Sequence, residues 1–261
     1  MADPATAVSR AVTRRPAPSA VDGLRAVDAG PPDIARLIEE HAACEAALRA
    51  AGAEVIALPP LPDYPDALFV EDTALCLPEG AVMLRPGAPS RRGEVAEMAT
   101  ALTPLVPEIG HLAGPGHVEG GDLLFTGPEV LAGRSARTDA EGIAALRAVL
   151  ARWGRPVRAV ETPPGVLHLK TDCALLGPGE ILATRRLVAT GCFAGYRVRE
   201  VPEGEEAAAN VIRVNDLVLM PAGFPRTAEL LDRAGYALRE VPTTQAAKLD
   251  GGMSCLSLRL P

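Results

Sequence analysis

The chain has 261 residues, 48% hydrophobic but only 3% aromatic, with a formal charge of −7. That length allows a substantial core packed from small aliphatic side chains. The acidic balance makes nucleic acid and anionic membranes poor partners and suits a cationic small molecule.

The stretch Met1–Arg15 carries no apolar run of the signal-peptide kind, and no segment approaches the ~18 apolar residues of a membrane span. The five cysteines, Cys44, Cys76, Cys173, Cys192 and Cys255, form no CxxC pair and no regular framework. An odd count without an export signal predicts reduced thiols and a cytoplasmic location. None of the four histidines stands at ligand spacing from another His or Cys, so neither a structural metal nor a cofactor is expected.

In chain order, the segment 14–32 is rich in Pro, Ala, Gly and Asp without a clean period, and composition alone reads it as a surface loop. A helix over about 33–51 leads to the strand Ala53–Leu58, then to an apolar pair, Ala67–Leu77 with Ala81–Leu84. A helix over about 90–103 leads to Glu108–Leu112 and the pair Asp122–Phe125 with Glu129–Ala132. A third, about 138–152, leads to Val157–Val160 and the pair Cys173–Leu176 with Ile181–Ala183. Helices over about 184–195 and 225–235 precede Tyr196–Pro202 and Tyr236–Pro242, which share the text Tyr-x-x-Arg-Glu-Val-Pro.

This is an internal repeat of about 45 residues, five times over. Asp72, Asp122, Asp172 and Asp216 fall at comparable points, 50, 50 and 44 residues apart. No unit is large enough to bury its own apolar face, so the units are expected to pack around a common axis as a single domain over 1–261. The competing architecture is an ordinary parallel α/β sheet, but no GxGxxG or GxxxxGK[ST] follows any strand.

Several residues could carry chemistry. Cys255 follows Asp250-Gly251-Gly252 inside the predicted strand Met253–Leu260. Most strand cysteines are inert small hydrophobes, but paired glycines let backbone approach a ligand closely. His168 lies in a short apolar strand after Pro163-Pro164-Gly165, and Glu119 holds the matching position one unit earlier in Glu119-Gly120-Gly121-Asp122. Asp66, Glu71 and Asp72 flank the first hairpin. Inward-facing carboxylates are costly unpaired, and their natural partner is a guanidinium. Matching phases of the repeat bring all of these to one end of the axis. A thiol, an imidazole and carboxylates without a metal motif define nucleophilic attack on a cationic, electron-poor carbon.

At these residues the chain resembles the dimethylarginine dimethylaminohydrolase family of the guanidine-modifying superfamily, which includes arginine deiminase and the amidinotransferases. The resemblance covers nearly the whole chain: Leu61-Pro62 with Asp66–Asp72, Arg85–Arg92, Glu119–Gly127, Ser135–Thr138, Leu167–Lys170 and Asp250–Cys255. It implies a five-bladed pseudosymmetric α/β propeller of ββαβ units. It also implies roles. Cys255 attacks the guanidinium carbon, His168 protonates the leaving amine and later activates water, and Glu119 orients His168. Glu71 and Asp72 hold the guanidinium nitrogens, Arg91 and Arg137 clamp the α-carboxylate, and Asp66 with the Leu24 backbone binds nearer the amino-acid end. Leu249, beside Asp250, supplies another backbone contact, and the 14–32 segment becomes an active-site lid. The implied partner is a methylated arginine, with a homodimer left open.

The rival readings are arginine deiminase, disfavoured by the longer chains usual in that group, and hydrolysis of another N-substituted arginine. A non-catalytic propeller binding a macromolecule is a third, against which Cys255, His168 and Glu119 together argue. A free thiol has a pKa near 8.5, and no cation adjoins Cys255 in the sequence. Substrate-assisted ionisation is therefore expected.

Overall fold

The computed structural model describes residues 3–261. The chain runs through β1 (Arg10–Arg14), α1 (Ile34–Ala50), β2 (Glu54–Leu58), β3 (Ala74–Leu77), β4 (Gly80–Met83), α2 (Glu94–Leu102) and β5 (Ile109–His111). It continues through β6 (Leu123–Phe125), β7 (Val130–Arg134), α3 (Ala140–Ala151), β8 (Val157–Glu161), β9 (Cys173–Gly177), β10 (Glu180–Ala183), α4 (Arg185–Val188) and β11 (Arg197–Glu200). The last elements are β12 (Ile212–Val214), β13 (Leu217–Pro221), α5 (Pro225–Arg233), β14 (Ala237–Val241) and β15 (Leu258–Leu260).

These strands form five three-stranded sheets, β3-β4-β5, β6-β7-β8, β9-β10-β11, β12-β13-β14 and β15-β1-β2. In each, an antiparallel pair is followed by a helix and a third strand parallel to the second. A parallel neighbour needs a crossover, which the helix supplies. The five units expected from the repeat are therefore ββαβ blades, and β15 lies against β3, β6 against β9 and β9 against β12.

Burial falls from the axis outward. All five residues of β9 are buried, whereas outer strand β11 has none buried, with Arg197 and Glu200 exposed and the two residues between them half-buried. Charge on outer strands discourages edge-to-edge pairing. The apolar interior is divided among clusters between neighbouring blades: Leu75, Leu77 and Val82 pack with Leu123, Val130 and Ile143, and Leu176 and Leu182 with Val218, Met220 and Leu231. Asp33 and Asp139 cap α1 and α3, accepting the backbone N–H of Arg36 and Gly142.

Away from the site, the fold departs from the sequence reading in three places. The fifth blade is closed by the two ends of the chain, β15 pairing antiparallel with β1 from Leu258↔Val12 to Leu260↔Arg10, a long-range pairing that local pattern cannot reveal. The helix expected over about 184–195 is only α4, followed by turns. Asp216 is not equivalent to the other three aspartates: it sits in the tight turn between β12 and β13, and Asn210, just ahead of β12, holds the matching place.

Candidate active site

At one end of the axis each inner strand is entered through a 3-10 turn. These are Val70–Thr73 before β3, Gly120–Asp122 before β6, Leu169–Thr171 before β9, Glu206–Ala209 before β12 and Ser254–Leu256 before β15. Glu119 and His168 immediately precede their turns in extended backbone, and Cys255 is the middle residue of its own. His168 and Cys255 thus stand ahead of the strands, not inside them. Pairing starts only at Cys173↔Ala183 and Leu258↔Val12, and unpaired backbone before those points tightens into a turn.

The turns bring the two unit-matched residues together. His168 Nε2 lies 2.6 Å from Glu119 Oε2, with Glu119 wholly buried and His168 7% exposed. The other Glu119 oxygen accepts the Gly87 N–H at 2.9 Å and lies 3.4 Å from Arg137 Nη1. Burial opposes the charge on this carboxyl, but the His168 contact and Arg137 outweigh it and hold Glu119 below the usual carboxylate range. Burial likewise works to lower the His168 pKa; the Asp72 charge, the Glu119 hydrogen bond and the Asp122 charge overcome it and lift it to about 9. The imidazole is therefore charged at neutral pH. Gly121 is required beside it, because a Cβ there would stand 2.6 Å from His168 Cγ.

Cys255 shares a cavity with His168, Glu119 and Asp72. Its sulfur accepts the Gly252 N–H at 3.4 Å. Burial, reinforced by the Glu71 and Asp72 charges, pushes the thiol up to about 12. Lys170 offsets this only in part, so the resting nucleophile is a thiol, as the sequence reading expects. Gly251 has no room for a side chain because the Phe69 ring lies against it.

The same cavity is lined by Leu24, Asp66, Arg91, Arg137, Leu249 and Asp250. Asp72 Oδ1 accepts the Gly121 N–H at 2.9 Å, and its Oδ2 meets Arg91 Nη1 at 2.5 Å. Arg91 also forks onto both Glu94 oxygens and donates to the Phe69 carbonyl at 2.7 Å, so most of its donors are engaged within the protein. Arg137, with 24% of its side chain exposed, is the freer guanidinium. Asp66 accepts the Leu24 N–H at 2.9 Å, and Asp250 accepts the Ala26 N–H at 2.5 Å. Two carboxylates thereby fasten the 14–32 segment across the cavity.

Glu71 is the exception. Its carboxylate turns away from the cavity and meets Lys170 Nζ at 2.5 Å, Arg259 Nη2 at 2.8 Å and Ser254 Oγ at 2.7 Å. Burial raises its pKa, but Lys170 and Arg259 prevail and lower it. It lines the channel between the inner strands with Ala74, Leu123, Ala174, Ile212 and Leu258. Consecutive residues of a tight turn diverge, so only Asp72 of the Glu71-Asp72 pair reaches the cavity.

Asp72, Glu119 and His168 each bring one potential ligand atom within 4.8 Å of the others. A cation there would have to displace the His168 proton and compete with Arg91 for Asp72, since an imidazolium is no ligand.

Three further residues shape the site. Asp122 accepts the Leu169 N–H at 2.8 Å and the Ser135 hydroxyl at 2.7 Å, anchoring the turn that follows His168. Asn210 accepts the Ser254 N–H at 2.8 Å and donates to the Lys170 carbonyl at 2.7 Å, tying the cysteine turn to the histidine turn. Ser254 links the same turn to Glu71. The repeat phase marks Asp122, whereas nothing in the text around Asn210 distinguishes it.

The profile of the arginine deiminase family matches residues 35–211. The N(G),N(G)-dimethylarginine dimethylaminohydrolase of Pseudomonas aeruginosa is 42% identical over 249 residues, 95% of this chain and 98% of its own. The enzyme of the same name from Streptomyces coelicolor is 35% identical over 253 residues, 96% of each chain. A solved structure of the Pseudomonas aeruginosa enzyme complexed with citrulline superposes with a TM-score of 0.94 at 40% identity, covering 97% of this chain and 99% of that one. Together with the five ββαβ blades and the Glu119–His168–Cys255 cluster, these likenesses show that the chain belongs to the dimethylarginine dimethylaminohydrolase family of the pentein superfamily.

Proposed function

We propose that this protein hydrolyses N-omega-methylated arginine, whether asymmetric dimethylarginine or monomethylarginine, to citrulline and dimethylamine or methylamine. The observation that carries the reading is the imidazolium of His168, held charged by Asp72 and buried Glu119 in the cavity that contains the Cys255 thiol. An acid poised beside a nucleophile, without a nucleotide or metal motif, suits displacement of an amine from a cationic carbon.

The substrate guanidinium binds against Asp72, with Arg137 taking the α-carboxylate and the 14–32 segment closing over the amino-acid end. The bound cation lowers the pKa of the Cys255 thiol, which loses its proton to solvent, and the resulting thiolate attacks the guanidinium carbon. The C–N bond to the substituted nitrogen breaks, and the amine leaves with its electron pair and a proton from His168. The neutral imidazole then takes a proton from water, which attacks the thiouronium carbon. Cys255 departs and citrulline is released. Every side chain invoked comes from one copy of the chain. No cofactor enters any step.

The activity for which the relatives are named supports this reading, and the match to the arginine deiminase profile keeps arginine itself as the competing substrate. Incubating the protein with dimethylarginine and with arginine, then measuring citrulline, dimethylamine and ammonia, tests both. Dimethylamine in step with citrulline is the expected result. Ammonia from arginine alone transfers the activity to a deiminase, and no citrulline from either removes the proposal.

A further inference from the structure

Two cavities converge on the catalytic pair. The charged one holds Asp66, Asp72, Arg91, Glu119 and Arg137. The second, of about 360 Å³, also reaches Cys255 and His168 but opens between the fourth and fifth blades and is walled by Val27, Leu167, Ala207, Pro221, Phe224 and Met253. Leu167, His168, Asp250, Gly251 and Cys255 line both. The first offers charge for the amino-acid and guanidinium ends, while the second is mainly apolar; of its polar lining, Lys170, Asn210 and Ser254 are already paired within the protein, and Thr171 and Thr243 are the remaining hydroxyls.

A substituted guanidinium has the same division. Its carbon must meet Cys255, its unsubstituted nitrogens want carboxylate, and its alkylated nitrogen wants apolar surface. With the charged side filled by the amino acid, the alkyl group has the second cavity to enter. Two methyl groups, each comparable to a water whose share of the liquid is about 30 Å³, leave most of that space empty.

We propose, on the footing of the hydrolase reading above, that this side pocket receives the N-alkyl substituent and is the exit for the released amine. Its substrate class is Nω-alkylarginines with substituents longer than methyl, such as ethyl, propyl and hydroxyethyl. The amine leaves with its electron pair and one proton from His168, so it emerges neutral, and Thr243 with Asp250 supplies oxygens that accept its N–H along the way out. Hydrolytic water can enter by the same route while the 14–32 segment stays closed over the amino-acid end.

The test is a series of Nω-methyl-, ethyl- and propylarginine with the full-length wild-type protein. With a pocket, kcat/KM for propyl stays within about tenfold of methyl, because an added methylene is accommodated and not expelled. Without one, propyl falls by more than about tenfold, which overturns the proposal. Ala207→Phe at the mouth is expected to cut the propyl-to-methyl ratio at least tenfold, and Phe224→Ala to raise it. An unchanged ratio in both overturns the proposal, and if neither variant folds the wild-type series decides. Failure to release any amine from dimethylarginine counts against the hydrolase reading. Normal turnover of dimethylarginine with rejection of propyl counts against the side pocket alone.

Discussion

Glu119 and His168, 49 positions apart, meet at 2.6 Å because each immediately precedes the 3-10 turn of its own blade. The repeat converts sequence distance into spatial adjacency. It also makes the histidine a cation, since burial alone would have favoured the neutral ring.

Glu119→Gln keeps the shape and removes the charge, so the imidazolium loses one of its stabilising partners while the burial penalty stays. His168 is protonated below its pKa, so the acid is present at neutral pH and is lost as pH rises through about 9. In the variant that alkaline limit moves to lower pH, and kcat at neutral pH falls by about 100-fold or more. The measurement is a kcat–pH profile of both proteins. An alkaline limb that stays in place would show that Glu119 does not set the His168 charge.

Cys255 is predicted to remain a thiol in the free protein far above neutrality, since burial and the charges of Glu71 and Asp72 push it up to about 12. Thiolate ultraviolet absorbance, with Cys255→Ser as the blank for the four other cysteines, should rise only at strongly alkaline pH. Saturation with a non-hydrolysed guanidinium ligand should bring it down, because a cation beside the sulfur favours the charged form. Thiolate at pH 7 without ligand would overturn substrate-assisted ionisation.

The carboxylates of Asp66 and Asp250 hold the 14–32 segment by accepting the backbone N–H groups of Leu24 and Ala26. A hydrogen bond to a charged group contributes about 1.5–3 kcal/mol, equivalent to roughly 10–100-fold in an equilibrium. Asp66→Ala and Asp250→Ala should each raise KM by about tenfold or more, with Tm little changed, and make the segment a readier target for limited proteolysis. An unaltered KM in both variants would leave the segment as a plain surface loop.

Much of this site was legible in the sequence because a repeat leaves its phase in the text. Asp72 and Asp122, 50 residues apart, both stand in turns entering inner strands, and that spacing placed Glu119 and His168 at one end of the axis. What the sequence hid came from three physical sources. The β1–β15 pairing joins the two chain ends through backbone hydrogen bonds, which carry no residue signature. Asn210 replaces the expected aspartate in unit four because its task is to accept and donate at once, bridging Ser254 N–H and the Lys170 carbonyl, and a carboxylate only accepts. Neighbours Glu71 and Asp72 read alike as carboxylates, but the turn sends them to opposite sides.

That divergence separates a binding role from a structural one. Glu71 neutralises Lys170 and Arg259 and accepts from Ser254 in the cysteine turn, all in a setting where it is 2% exposed. Removing one partner of a buried ion pair costs about 3–5 kcal/mol because the other charge is stranded. Glu71→Ala should therefore lower Tm by roughly 10 °C, and Glu71→Gln, which keeps one acceptor oxygen for Lys170 and Arg259, by less. The residual activity of the folded fraction should show a KM close to wild type. Asp72→Asn is expected to behave the other way, because Asp72 lines the cavity itself, and to raise KM for the cationic substrate about tenfold or more. Thermal melts and Michaelis profiles of the three variants decide the matter: a Glu71 variant with intact Tm and a raised KM would return Glu71 to the guanidinium site.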